Sequence, residues 1–496
     1  MLKVLVSVIL FINLLRPYSQ AQQVYFNNRY NIELYDGGYS ILPVDSGFVA
    51  VDVSSDLIRI KTSLVFLEAG GSYLSNKGYG SSYADYYGGT WGSLKKTFDG
   101  GYVLAGSYAD STVNGDVLLY KFNASGDTIW TKRFGDSAHV QGALNVAQTK
   151  DSGYIITALT TTFDPNGDRW LIKVDSMGNI QWQKHYGSSL FDAGTCIIQA
   201  NDGGYLMTGE WAAWAAMDLG ALFALKTDSA GNQQWFKSFG AAHENGGWNA
   251  VQTKDGGYVI CGGFTDSLDA IGQRYGRHWL VKLDSAGNLD WEKKYGAIQN
   301  SFTLFSVREL PDGSIIACGI TDSSGWGPRG SVLKTNSQGD SIWFNQYVNL
   351  NGLQSVNRLY DLYPTDDGGI VCTGFVAPLP PDTGTQDLWV LKLDSMGCEI
   401  ANCVTGIGPI IELPGEEGIT AFPNPFTDWL TVKGYGRQTT GDATGIEIRN
   451  ALGEIVFQTL LQDGAGTFNL SFLDAGIYFV VLKAKEKYFN RKIFKI

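Results

Sequence analysis

Apolar residues along this chain come in short runs, cut at regular intervals by turn strings rich in Gly, Asp and Asn. The stretch from Asn249 shows the pattern. NAVQT is apolar-rich, KDGG breaks it, YVICGGF resumes it, a variable loop follows, and HWLVKLD, SAGN and LDWEKKYG complete the cycle. Such runs separated by glycine-bearing turns predict strands joined as hairpins, because glycine accepts a positive φ without steric cost. The DGG-type turn returns at Asp45, Asp99, Asp151, Asp202, Asp255, Asp312 and Asp367, spaced 51 to 57 residues apart. Seven copies of a four-strand unit at that period predict a closed, seven-bladed β-propeller.

A second turn string recurs between the third and fourth strand of each unit, as in DSMGN (Asp175 to Asn179) and DSAGN (Asp228 to Asn232). Trp130, Trp182, Trp235, Trp291 and Trp343 each follow its glycine by four residues. A large aromatic at one fixed position can bury the seam between neighbouring blades. The first unit lacks this Trp, and the last loses its fourth strand after LWVLKLDSMGC. VYFNNRYN (Val24 to Asn31) aligns with the missing strand, with Phe26 in the Trp place and Tyr30 matching Tyr186. An N-terminal strand completing the last blade would remove the open sheet edges. Lys121, Lys173, Lys226, Lys282, Lys334 and Lys392 also recur at one position, which reads as scaffold: each is expected to meet the acid of its own DGG turn.

The Gly-x-x-x-Trp step in GNIQW and GNLDW resembles the tryptophan-docking repeat of pyrroloquinoline-quinone-type propellers. It departs from them in turn spacing, in blade number and in lacking their adjacent cysteine pair, so no quinone or other cofactor is expected. After a Gly-, Pro- and Glu-containing linker (405–418) the pattern changes. Residues 419–496 read ITAFPNPFTDWLTV, IEIRNALGEIVFQ and FNLSFLDAGIYFVVL, ending RKIFKI. Short alternating runs between turns predict a second, immunoglobulin-like β-sandwich. Pro423, Asn424 and Pro425, the Asn450–Gly453 step, Gly476 and Tyr478, and basic Lys492 and Lys495 carry a resemblance to the C-terminal sorting domain of type IX secretion in the Bacteroidetes group. That resemblance implies export by the type IX machinery, removal of the tail near the linker, and a secreted or surface-anchored product.

At the other end, Lys3, the apolar run Val4 to Leu15 and Ser19-Gln20-Ala21 form a signal-peptide pattern over residues 1–21, leaving 22–404 for the propeller. The apolar run falls short of the roughly 20 residues a membrane span needs, and no other stretch reaches it. A net charge of −12 argues against nucleic acid, which is held by clustered Lys and Arg. Cys398 and Cys403 read as a small disulfide loop, with zinc ligation as the alternative; Cys261, Cys318 and Cys372 sit in apolar runs as small hydrophobes.

The turns between first and second and between third and fourth strands are short and share one face; the loops on the opposite face vary. Variable loops on a rigid scaffold are where binding residues gather. Trp211, Trp214, Trp248, Arg274, Tyr275, His278, Trp326 and Arg329 are the candidate ligand-binding residues there, suited to a sugar ring or a protein partner. Asp164, Asn166 and Asp168 have calcium-loop spacing but read better as a turn. No constellation of catalytic or metal-ligating residues stands out. The first expectation is therefore a surface binding module for a glycan or protein. A polysaccharide lyase or hydrolase, and a structural surface protein whose mouth is plugged by side chains, are the alternatives.

Overall fold

The computed structural model describes residues 25–399 and 418–495, apart from 90, 112–114, 137, 164, 189, 214–219, 241–244, 270–271, 301, 323–326, 351–353, 381–383, 423–426, 436–443, 451–454, 462–464, 475 and 485–486. Seven antiparallel sheets follow one another along the propeller region. Blade one is Gly38–Val44, Gly47–Ser55, Ile60–Glu68 and Tyr73–Tyr79, and blade three is Gln141–Gln148, Tyr154–Thr160, Asp168–Val174 and Ile180–Tyr186. Third strands such as Asp168–Val174 are buried at every position, whereas the fourth strand Ile180–Tyr186 alternates exposed and half-buried residues. Blade two departs from the rule. Its inner strand is split into Ala84–Tyr87 and Leu94–Lys96, both paired with Tyr102–Asp110.

Blade seven contains Ser355–Pro364, Ile370–Pro378 and Asp387–Leu393, and its outer strand is Phe26–Tyr30 from the start of the chain. The register runs from Phe26 opposite Lys392 to Tyr30 opposite Leu388. The closing strand thus pairs where the repeat leaves a fourth strand wanting.

The seams between blades repeat a small set of contacts. Trp182 lies against Tyr205 of the next blade with ring centroids 5.9 Å apart, and Trp130 meets Tyr154 in the same way at 6.0 Å. Each such pair contributes on the order of 1 kcal/mol beyond its buried area. The same Trp covers the turn glycine of the next blade. Gly231 has φ +76, and a Cβ there would stand 2.8 Å from the Trp182 ring, so this position needs glycine for both conformation and space. The Tyr186 hydroxyl donates to the Gly231 carbonyl, and Tyr295 and Tyr347 do so to Gly339 and Gly397 at 2.7 Å. In blade one Phe66 stands at the position where other blades carry the recurrent Lys, and its ring fills the seat of the absent Trp against Gly126.

Five of the recurrent lysines meet their turn acids: Lys121–Asp99, Lys173–Asp151, Lys226–Asp202, Lys282–Asp255 and Lys392–Asp367, all at 2.7–2.9 Å. Lys334 is the exception. Its Nζ instead donates to the Ser395 carbonyl in blade seven at 3.5 Å. Burial alone would raise Asp99 and Asp255, but their Thr hydroxyl, Lys and backbone N–H partners outweigh it and hold both at about 2.

The C-terminal region forms a three-stranded sheet (Gly418–Phe422, Trp429–Tyr435, Ala465–Asn469) and a four-stranded one (Ile455–Leu461, Thr444–Asn450, Gly476–Ala484, Lys487–Lys495). Both contribute to a single core that includes Leu430, Val432, Ile446, Ile448, Val480 and Ile493. Cys398 is disulfide-bonded, and Cys403, its expected partner, lies outside the described residues. Cys261, Cys318 and Cys372 are buried free thiols, as is Cys196.

Candidate functional site

A β-bulge interrupts the inner strand of six blades at the same height. The ladder skips Tyr39, Leu144, Thr195, Trp248, Phe305 and Tyr360 in turn. A bulge inserts one residue and re-aims its side chain. Inner strands line the propeller axis, and the bulges fall near the middle of their strands, except in blade one, where Tyr39 comes directly after the first strand residue. Blade two supplies Trp91 instead, from the segment that splits its inner strand.

Four of these residues come together as an aromatic floor across the channel. Trp91 stacks on Tyr360 at 5.1 Å, and meets Trp248 edge-on at 4.8 Å and Phe305 at 4.4 Å. Tyr39 and Phe375 extend the floor from Tyr360, at 5.5 and 5.9 Å. Phe305 and Tyr360 are buried, whereas Trp91, Trp248, Tyr39 and Phe375 remain half-buried. Burial, then the nearby Tyr360 and Asp52, push the Tyr39 hydroxyl up to about 12, so it stays a neutral donor.

Beneath the floor, the residues after five of the six bulges, Ser40, Asn145, Asn249, Ser306 and Asp361, contribute to a polar layer, while Cys196 after the sixth packs in an apolar cluster. Asp361 accepts from Ser40 Oγ and Ile41 N of blade one at 3.1 Å, from Ser306 Oγ at 2.8 Å, from Leu362 N at 3.0 Å and from Arg308 Nη2 at 3.2 Å. Arg308 also donates to Asn249 Oδ1 at 3.1 Å, and Lys95 Nζ to the Gly92 carbonyl. Asn145 Nδ2 reaches Gly92 O at 3.3 Å, so the Trp91–Gly92 segment is tied to the neighbouring blade three. With its oxygens taken by five donors, Asp361 is a structural carboxylate rather than an acid or base.

Among the described sequence candidates, Trp248 alone joins this floor. Trp211, at the end of Tyr205–Ala213, packs edge-on against Phe236 of the outermost strand at 5.7 Å, and so points away from the channel. His278 is fully buried, with Nε2 3.1 Å from Ser331 Oγ and its ring against Phe344; burial lowers its pKa to about 4. It is a core histidine. Arg274 and Tyr275 pair with Leu268 and Ser267 in a long hairpin of blade five, and Arg329 opens Arg329–Thr335 opposite Thr321. Trp214, Trp326 and Asp164 lie outside the described residues. Asp168 is buried at the start of its strand.

In the tail, Tyr478 is buried and its hydroxyl donates to Asp474 O at 2.9 Å. Gly476 opens the strand Gly476–Ala484, and Lys492 lies in Lys487–Lys495. Lys495 Nζ is buried against the Thr427 carbonyl and Asp428 Oδ1. Pro423, Asn424, Pro425 and Gly453 lie outside the described residues. Residues 420–495 match the secretion system C-terminal sorting domain. The chain is cargo of the type IX secretion system. It is exported to the cell surface or beyond, with its tail removed.

No curated protein matches the sequence. Among solved structures, Sqt1 from Chaetomium thermophilum is 12% identical, covering 72% of this chain and 86% of its own, with TM-score 0.41. An alpha-l-arabinofuranosidase from Fusarium graminearum is 12% identical, covering 74% and 96%, with TM-score 0.37. The extracellular domain of a putative hybrid two component system from B. thetaiotaomicron is 11% identical, covering 92% and 80%, with TM-score 0.19. Likeness at this level speaks to neither ligand nor chemistry.

Proposed function

We propose that the propeller is a surface binding module, delivered by its sorting domain after a signal peptide over residues 1–21 has started its export. It would recognise a glycan or a surface protein through the loop-rich face. The observation that carries this reading is the floor of half-buried Trp91, Trp248, Tyr39 and Phe375 across the channel. Flat aromatic faces that are reachable yet held rigid from below bind apolar ring faces at low entropic cost.

The closure of the channel by Trp91 favours a second reading, a structural surface protein without a specific ligand. An enzyme draws less support, since Asp361 is fully committed and Asp52 Oδ1 is bound to Gly37 N at 2.9 Å.

A glycan array probed with the full chain lacking its signal peptide separates these readings. Binding lost in Trp248→Ala but kept in Trp211→Ala supports the aromatic mouth. Binding lost in neither variant moves the site elsewhere. If no sugar binds, capture of cell-surface proteins by wild type but not Trp248→Ala supports a protein ligand, and capture by neither leaves the structural reading.

A further inference from the structure

Arg358 stands at the edge of the aromatic floor with no carboxylate beside it among the described residues. It lies on Ser355–Pro364 opposite Phe375, half-buried, with its guanidinium carbon 5.6 Å from the Phe375 ring centre. Its hydrogen bond runs from Nη1 to the Tyr360 hydroxyl at a long 3.5 Å, and its Nε, itself buried, has no acceptor among the described residues. Arg133, Arg277 and Arg308 are each tied to an Asp, at 2.6, 2.6 and 3.2 Å; Arg358 has no such partner among the described residues. In a chain of net charge −12 an unpaired guanidinium at the mouth is a local exception to the field around it.

We propose that the mouth binds a polysaccharide whose rings carry carboxylates, with Arg358 taking the carboxylate and Trp91 and Trp248 taking the ring face. This rests on the reading of the floor as a binding site and narrows its ligand. The planar fork of Arg matches a carboxylate through two parallel hydrogen bonds, and the Phe375 ring 5.6 Å away gives this guanidinium an aromatic neighbour beside the floor. A neutral sugar would leave the fork unmatched. A peptide carboxylate could satisfy Arg358 but brings no flat ring face for the two indoles, so the floor favours a uronate-type sugar.

The test compares polygalacturonate, alginate and hyaluronan with their methyl esters, which keep the rings and remove the charge. The full chain lacking its signal peptide is measured as wild type, Arg358→Gln, Arg358→Lys and Trp248→Ala, each checked for an unchanged melting temperature. The expected result is that at least one polymer binds about 10- to 100-fold tighter than its ester, as a charged hydrogen bond is worth. Arg358→Gln should bring the acid down to its ester, Arg358→Lys should recover only part, and Trp248→Ala should weaken both. Equal binding of acid and ester, a preference untouched by Arg358→Gln, or preference for a sulfated polymer overturns the inference. If neutral polymers bind in a Trp248-dependent way while acid and ester remain equal, the inference fails and the binding module stands. If no polymer binds, the inference fails together with the glycan reading.

Discussion

Phe26 stands over Gly71 as the tryptophans of other blades stand over their turn glycines: a Cβ on Gly71 would come 2.7 Å from the Phe26 ring. The Tyr30 hydroxyl donates to the Gly71 carbonyl at 2.5 Å, repeating the Tyr186–Gly231 contact. The closing strand therefore carries the full seam chemistry and joins the two ends of the repeat. Phe26→Ala should lower the urea midpoint by the equivalent of about 3 kcal/mol, as loss of a buried phenyl ring does. Tyr30→Phe should cost about 1 kcal/mol. A midpoint unchanged in Phe26→Ala would mean that the ring is held shut by blades one and seven without this strand.

Gly231 and Gly256 separate conformation from contact. Both have positive φ, +76 and +83, but a Cβ on Gly231 meets Trp182 at 2.8 Å while one on Gly256 meets nothing within 4 Å. Gly256→Ala should cost about 1 kcal/mol for the left-handed backbone alone. Gly231→Ala should cost that and a further ~1–3 kcal/mol for displacing the indole. Equal thermal shifts in the two variants would show that the Trp182 seat is soft.

Phe26 and Tyr30 were legible because a strict period fixes which blade positions must be filled, even from the far end of the chain. The floor was not. A bulge adds one residue to an inner strand without changing the turn spacing, so Phe305 and Tyr360 look like any other strand residue in sequence. Trp91 was hidden for another reason: its insertion splits the one inner strand that breaks the pattern. His278 could have been placed better. It lies in HWLVKLD, four residues before Lys282, where Leu222 and Leu388 stand before Lys226 and Lys392, and both leucines are fully buried. Arg358 and Asp361 gave no signal, since their meaning depends on neighbours from other blades.

Stability should fall on both sides of mildly acidic pH. Burial, and then the neighbouring Asp36, raise the Asp52 carboxyl well above its ordinary value, and burial raises Asp36 to about 6. The native protein thus keeps protons that the unfolded chain releases. The stabilisation is complete below about pH 4 and is lost as pH rises, through about 6 for Asp36 and beyond for Asp52. Asp99 and Asp255, held at about 2, act in the opposite sense: their contribution is full above about pH 4 and lost as pH falls towards 2. Asp52→Asn should raise the melting temperature at pH 8 relative to wild type and leave it unchanged at pH 4. Asp255→Asn should flatten the acid limb alone. A parallel shift at all pH values in Asp52→Asn would show that Asp52 is ionised in the folded protein.

Asp361 tests whether the floor depends on the polar layer below it. Its partners come from blades one, six and seven, and the Arg308 it holds also reaches Asn249 of blade five. Removing the carboxylate leaves Arg308 largely buried and uncompensated, which costs about 3 kcal/mol or more. Removing both charges replaces that penalty with packing, so Asp361→Ala should be much worse than Asp361→Ala combined with Arg308→Met. The near-ultraviolet circular dichroism of Trp91 and Trp248 should weaken in Asp361→Ala, because Ser40 and Ser306, each directly after a bulged aromatic, lose their shared acceptor. Lys173→Met, whose side chain sits at the turn face, should leave that signal intact. If Asp361→Ala instead melts with wild type and keeps the spectrum, the aromatic contacts alone hold the floor and the polar layer is incidental to it.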